Sequence, residues 1–156
     1  MDLKNKVTEN KFSVGIIGLG YVGLPLALEF AGKGIKVVGF DLDEFKINKI
    51  LKEKKSYIKH IPSEKIKDTV NQKTLTATTD FKRLKDVDAI IICVPTPLNV
   101  NREPDMSYVV NTAETIGKYI RKGHFISLES TTYPGTTDEI PLKIFESKGL
   151  KVGKDF

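Results

Sequence analysis

The stretch Phe12-Ser13-Val14-Gly15-Ile16-Ile17-Gly18-Leu19-Gly20-Tyr21-Val22-Gly23 decides the fold. A short apolar run enters Gly-x-Gly-x-x-Gly, and a helical pattern succeeds it. That order is the strand, turn and helix of a dinucleotide-binding unit. Gly18 permits the tight turn. Gly20 has no side chain, so a pyrophosphate can approach the backbone. Gly23 lets the helix pack closely on the strand. The phosphates would sit at the helix N-terminus, where free N–H groups and the helix dipole favour anions.

Three glycines at this spacing also describe an ordinary turn, so the residues downstream of Gly23 carry the distinction. A second apolar run, Ile35-Lys36-Val37-Val38-Gly39-Phe40, ends in Asp41. An acid about 20 residues beyond the glycines accepts hydrogen bonds from the adenosine ribose hydroxyls. Strand, glycines, helix, strand and acid stand in the required order.

Working outward, segments of β and α character alternate. The first helix is expected from about Tyr21 to Gly32, with Val22, Leu26 and Phe30 as its buried stripe. Asp43 is placed to cap a helix carrying Ile47, Ile50 and Leu51 inward. Residues 56–61 read as a loop, and Pro62-Ser63-Glu64 as a helix start with Ile66 and Val70 on its buried face. Residues 75–79 form a short β-branched strand, and Asp80 caps a short helix.

Val87-Asp88-Ala89-Ile90-Ile91-Ile92-Cys93-Val94 is a buried strand ended by Pro95-Thr96-Pro97. A polar loop, 98–105, leads to a helix from near Ser107 with Val109, Val110, Ala113, Ile116 and Ile120 on its core side. His124 to Leu128 is a strand, and a last helix spans about 137–148. The alternation predicts a Rossmann-type α/β fold: a doubly wound, mostly parallel sheet with helices on both faces. Ligands bind such sheets at the strands' carboxyl ends. The glycine turn, Asp41, Val94–Leu98 and Glu129–Thr132 all fall there.

With 156 residues, the expectation is one domain. Residues 1–11 read as a flexible leader and 12–156 as the dinucleotide domain. The net charge is +5, but 22 of the 25 basic residues are lysines, and they are scattered. A solvated lysine surface is the reading, rather than a clustered nucleic-acid face. No apolar run reaches the roughly 20 residues of a membrane span, and residues 1–11 hold no signal-peptide core. The single cysteine, Cys93, excludes an internal disulfide and fits a reducing, cytoplasmic compartment. Within an apolar strand it reads as a core thiol. His60 and His124 lack metal-ligand spacing, so no metal is expected, and each reads as a surface or strand-edge residue.

Four segments together resemble the UDP-glucose/GDP-mannose dehydrogenase family: Gly18 to Pro25, Cys93-Val94-Pro95-Thr96-Pro97-Leu98, Arg102-Glu103-Pro104-Asp105 and Glu129 to Thr137. The last three are most similar to its UDP-N-acetylglucosamine 6-dehydrogenase branch, which supplies uronic acids for bacterial surface polysaccharides. The resemblance implies a two-step oxidation of a nucleotide sugar's C6 alcohol to a carboxylate, with two NAD. UDP-N-acetylmannosamine or UDP-glucose is the alternative substrate, and a non-catalytic NAD-binding module the alternative class.

The resemblance further implies that Gly18, Leu19, Gly20, Tyr21, Val22 and Gly23 surround the pyrophosphate. Asp41 holds the adenosine ribose, and Lys46 reaches the same ribose or adenine edge or is a plain surface lysine. Val94, Pro95, Thr96 and Pro97 run along the adenine and ribose side through backbone, with Leu98 at their end. Ser130, Thr131 and Thr132 lie near the nicotinamide. Thr131 matches a threonine that orients water and the substrate C6 group; a strand-end threonine capping backbone is its other reading. Arg102 and Glu103 contact substrate or a neighbouring subunit, or form a solvated loop pair. The family's catalytic cysteine, lysine and glutamate, with its linking helix and sugar-nucleotide domain, would lie beyond Phe156. The expectation is thus a truncated cofactor domain of a homo-oligomeric enzyme acting on a UDP-sugar.

Overall fold

The computed structural model describes residues 3–98 and 102–156. Five strands form one sheet: β1 (Ser13–Ile17), β2 (Lys36–Phe40), β3 (Leu75–Thr78), β4 (Ala89–Ile92) and β5 (Phe125–Leu128). All neighbours are parallel and the order is β3-β2-β1-β4-β5. The chain leaves β1 for β2 on one side and later returns to β1's other side with β4. The order therefore reverses beside β1, and the crevice for a ligand opens at that point.

Strand residues alternate between two cores, as a two-residue period requires. Val14, Ile16, Val37, Leu75, Ala77, Ala89 and Ile91 face one layer; Ile17, Val38, Phe40, Ile90 and Ile92 face the other. Helices α2 (Gly23–Gly32) and α4 (Ser63–Asn71) cover the first layer. Between them runs α3 (Glu44–Asn48), which continues as a π turn over Lys49–Glu53 and buries Ile50. Asp43 caps α3 as expected, its Oδ1 accepting from the Phe45 N–H at 2.9 Å. A 3-10 turn (Phe81–Asp86), α5 (Ser107–Gly117) and α6 (Lys143–Glu146) cover the second layer.

Helix α2 differs from the expected phase. Its buried residues are Gly23, Leu24, Ala27, Leu28 and Ala31, whereas Val22 is 56% exposed and Leu26 and Phe30 are only half-buried. The helix starts at Gly23 and not Tyr21, so Val22 belongs to the turn. Leu24, Ala27, Leu28 and Ala31 stand at the i, i+3, i+4 and i+7 spacing of a single helix face. The last helical segment is broken by a π turn over Asp138–Leu142 around buried Pro141, which has no N–H to give the helix ladder.

Within the stretch read as a flexible leader, Leu3–Thr8 form a short helix, α1, none of whose residues is buried. Its Lys6 Nζ lies 2.6 Å from Asp88 Oδ1, while Asp88 Oδ2 accepts from the Ser13 N–H at 3.0 Å. One carboxylate thus ties α1 to the starts of β1 and β4. No helix among the described residues is long and apolar enough to cross a membrane.

His124, expected at the surface or a strand edge, is buried at 2% exposure. Its Nδ1 accepts from the Arg121 N–H at 3.2 Å, which closes the turn into β5, and its Nε2 has no hydrogen-bond partner among the described residues. Burial, followed by the nearby Arg121 charge, lowers its pKa from 6.5 to about 4. The folded value lies below the unfolded one, so the unfolded chain binds more protons between them. Stability that His124 contributes above pH 6.5 is lost as pH falls towards 4. Stability by urea unfolding is expected to drop by about 2 kcal/mol between pH 7 and pH 5. His124→Asn keeps an acceptor for Arg121 but cannot titrate, and should flatten that slope. An equal slope in the variant would exclude His124 as its source.

Candidate functional site at the carboxyl edge of the sheet

Gly18 follows β1 with φ +92°, and its N–H donates to the Phe40 carbonyl at 2.8 Å. A Cβ there would strike the Cys93 carbonyl, and one at Gly23 would strike the Gly18 carbonyl. Both glycines are therefore required by packing within the protein. Gly20 is different: a Cβ there meets nothing within 4 Å among the described residues. The second glycine faces open space, as the approach of a ligand's phosphates requires. Helix α2 has no side-chain cap at its N-terminus. The Leu24 and Leu26 N–H groups donate to the Gly20 and Val22 carbonyls at 3.1 and 3.2 Å and Pro25 has none, so an anion here would meet the helix dipole and the backbone of the turn.

Leu19 anchors this turn. It is fully buried, and its side chain lies so close over Gly39 that an added Cβ there would be 2.8 Å from Leu19 Cδ2. Its N–H donates to Asp41 Oδ2 at 2.8 Å, and its carbonyl accepts from the Tyr57 hydroxyl at 2.5 Å. The sequence reading missed Tyr57, since a tyrosine in a polar loop carries no periodic signal. Tyr21 and Val22, by contrast, are 76% and 56% exposed and line the outer side of the turn. The Tyr21 ring stacks on His60, with centroids 6.1 Å apart.

Asp41 follows β2 and is 8% exposed. Besides Leu19, it accepts from the Asp43 N–H at 3.0 Å and pairs with Lys46 Nζ at 2.8 Å. Three donors occupy a carboxylate that has about four acceptor positions. One position remains for a ribose hydroxyl, and more if Lys46 swings out. Lys46 is accordingly a partner of Asp41 and not a solvated surface lysine. Leu42 and Phe45 flank the acid with 84% and 57% exposure, giving an apolar ring such as adenine something to lie against.

Two loops complete the edge. Val94, Pro95, Thr96, Pro97 and Leu98 follow β4, and Ser130, Thr131 and Thr132 follow β5. They are laced together: Ser130 Oγ donates to the Val94 carbonyl at 2.8 Å, and Thr96 Oγ1 to the Thr131 carbonyl at 2.6 Å. The Ser130 hydroxyl is therefore spent on holding the loops. Thr131 is exposed and Thr132 half-buried. Leu98 bridges to Pro104 beyond the loop, where Arg102 is exposed with φ +62°. Residues 99–101 of the expected polar loop lie outside the described residues.

Cys93 sits beneath the turn, its N–H donating to the Ile17 carbonyl at 2.8 Å and its Cβ 3.2 Å from a Cβ built on Gly23. It belongs to the first core layer. Burial, then the Glu129 charge, pushes its thiol up to about 11. Among the described residues no three His, Cys, Asp or Glu side chains gather as a metal site. The edge thus offers an open glycine, an uncapped helix, a buried carboxylate with room for a hydroxyl, and hydroxyl-bearing loops. These suit a dinucleotide, and the Cys93 thiol beneath them is buried.

Comparison with known proteins agrees with this reading. The model of the UDP-glucose/GDP-mannose dehydrogenase family, NAD binding domain, matches residues 12–156. The chain is 37% identical over 144 residues to UDP-N-acetyl-D-glucosamine 6-dehydrogenase of Pseudomonas aeruginosa, covering 92% of this chain and 33% of that protein. It is 34% identical over 143 residues to UDP-N-acetyl-D-mannosamine dehydrogenase of Pyrococcus horikoshii, covering 92% and 34%. The structure of GDP-mannose dehydrogenase from Pseudomonas aeruginosa superposes with a TM-score of 0.86 at 32% identity, covering 92% of this chain and 34% of that one. The chain spans about a third of the length of the curated relatives it matches.

Proposed function

The chain belongs to the UDP-glucose/GDP-mannose dehydrogenase family as its NAD-binding domain, and from that premise we propose that it is the cofactor half of a UDP-N-acetylglucosamine 6-dehydrogenase. The longer protein would oxidise the sugar's C6 alcohol to a carboxylate for surface polysaccharide synthesis, in the cytoplasm and as a homo-oligomer. The identity to the Pseudomonas aeruginosa enzyme supports this substrate. The similar identity to a UDP-N-acetylmannosamine dehydrogenase supports the epimeric sugar as the second reading.

NAD supplies the hydride acceptor for both oxidation steps. The residues of this chain do the holding. Gly18 to Gly23 and the start of α2 receive the pyrophosphate, with the Gly20 backbone in contact. Asp41 accepts from the adenosine ribose, and Lys46 holds that carboxylate in its orientation. Val94 to Pro97 pass along the adenine and ribose side. Ser130 and Thr132 shape the nicotinamide end, and exposed Thr131 turns its hydroxyl to water and the substrate's C6 group.

The observation that carries the cofactor assignment is the pairing of an open Gly20 with a buried Asp41 across one turn. NADP would bring its 2′-phosphate against the Asp41 carboxylate, and that repulsion opposes binding. Lys46, 2.8 Å from Asp41, offsets part of it. NAD is expected to bind at least about tenfold tighter than NADP, or 1.4 kcal/mol. Asp41→Asn should narrow the gap. Calorimetry on the purified chain checks both, and equal affinities in the unaltered chain would remove Asp41 from the ribose site.

A further inference from the structure

Tyr57 lies in the loop between the π turn after α3 and the start of α4. That loop is anchored on its own account. Ile58 and Ile61 are buried in the first core layer. Ser56 Oγ accepts from the Ile58 N–H at 3.0 Å and donates to the Ile58 carbonyl at 2.8 Å, and the Ser56 N–H donates to Ser63 Oγ at 3.0 Å. From this base the loop touches the glycine turn twice. His60 stacks on Tyr21, and the Tyr57 hydroxyl reaches the Leu19 carbonyl.

The second contact bears on the peptide linking Leu19 to Gly20. In a trans peptide the C=O and the following N–H point in opposite directions. Whatever holds the Leu19 carbonyl inward therefore turns the Gly20 N–H outward. The preceding peptide is tied separately, because the Leu19 N–H donates to Asp41. With the Leu19 side chain buried over Gly39, neither peptide beside Leu19 can flip without breaking a hydrogen bond. We propose that Tyr57 is a positioning residue for the phosphate-binding turn, its hydroxyl fixing the Leu19–Gly20 peptide so that the Gly20 N–H faces the incoming pyrophosphate.

This rests on the reading that the turn receives the pyrophosphate. Burial, and then the charges of Asp41 and Asp43, raise the Tyr57 pKa well above the usual phenol range. The hydroxyl thus stays protonated and remains a donor to the Leu19 carbonyl.

Tyr57→Phe removes only the hydroxyl and leaves the ring. NAD, ADP and adenosine are the probes, titrated into the purified chain. NAD and ADP are expected to bind about fivefold more weakly to the variant, the worth of one hydrogen bond. Adenosine, which has no pyrophosphate, should bind within about twofold of its former affinity, since a residue acting only on the phosphate end leaves the ribose end alone. Unchanged NAD and ADP affinity would overturn the proposal. So would a parallel fall for adenosine, which would mark a general structural role.

Should the variant fail to fold, amide resonances of the unaltered chain decide. ADP must shift the Gly20 N–H while the Tyr57 hydroxyl proton stays bonded; a Gly20 N–H unmoved by bound ADP overturns the proposal. If the unaltered chain binds neither NAD nor ADP, the reading of the turn itself fails, and the inference falls with it.

Discussion

Given NAD and UDP-N-acetylglucosamine, the purified chain is expected to bind NAD and yet form no NADH. The family chemistry implied by the sequence needs a cysteine nucleophile, and Cys93 is the chain's single cysteine. Its surroundings disqualify it. It is 8% exposed, packed in the first core layer beneath Gly18 and Gly23, with its thiol pushed up to about 11. The thiolate is the reactive form, and at neutral pH roughly one thiol in ten thousand would be ionised.

Thr131 is exposed at the edge, but a threonine hydroxyl without an activating base is a poor nucleophile. Cys93→Ser should therefore leave NAD affinity unchanged and cost about 1–3 kcal/mol of stability, because a hydroxyl replaces a thiol in an apolar layer. The measurement is absorbance of reduced nicotinamide over many turnovers. Sustained reduction that Cys93→Ser abolishes would overturn both the core assignment and the proposal that catalysis needs more than this domain.

Gly20 and Gly23 should separate sharply when substituted. Gly20→Val places its side chain where the described residues have no atoms within 4 Å of the Cβ. Folding stability should stay within about 0.5 kcal/mol, as for an ordinary surface change. NAD binding should fall by more than about tenfold, since the side chain occupies the phosphate approach. Gly23→Ala does the reverse. Its methyl group meets the Gly18 carbonyl and then Cys93 Cβ, and the carbonyl is backbone that cannot swing aside.

A loss of about 3 kcal/mol of stability is expected for Gly23→Ala, at the upper end of overpacking costs. Urea midpoints and calorimetry on both variants give the answer. Full NAD affinity in a folded Gly20→Val would put the phosphates elsewhere. An undisturbed midpoint in Gly23→Ala would mean that α2 does not press on the turn as described.

Much of this was legible in the chain because parallel strands buried on both faces read as apolar runs with abrupt ends. Residues 13–17, 36–40 and 89–92 declare themselves in this way, and Gly18 and Asp41 mark the ends of the first two. The phase of α2 was not legible. Val22, Leu26 and Phe30 recur every four residues, and that spacing reads as the buried stripe. The inward face is instead Leu24, Ala27, Leu28 and Ala31, at i, i+3, i+4 and i+7, and apolar residues on both sides of one short helix leave its phase open to spacing alone. His124 carried no periodic signal, and it is held in its buried place by the Arg121 backbone N–H on its Nδ1.

The sequence by itself determined the order of elements, the glycine turn and the acid at the end of β2, because each depends on a few adjacent residues and on periods of two or near four. Only the tertiary structure decided what those elements do to one another. It set Gly20 apart from Gly18 and Gly23 by what surrounds each Cβ. It joined Lys46 to Asp41, laid Cys93 beneath the turn, and brought Tyr57 to a carbonyl 38 residues earlier in the chain. Such contacts link residues distant along the chain, and no local spacing encodes them. They arise when the sheet stacks its strands and the loops at its carboxyl edge are forced to share one crevice.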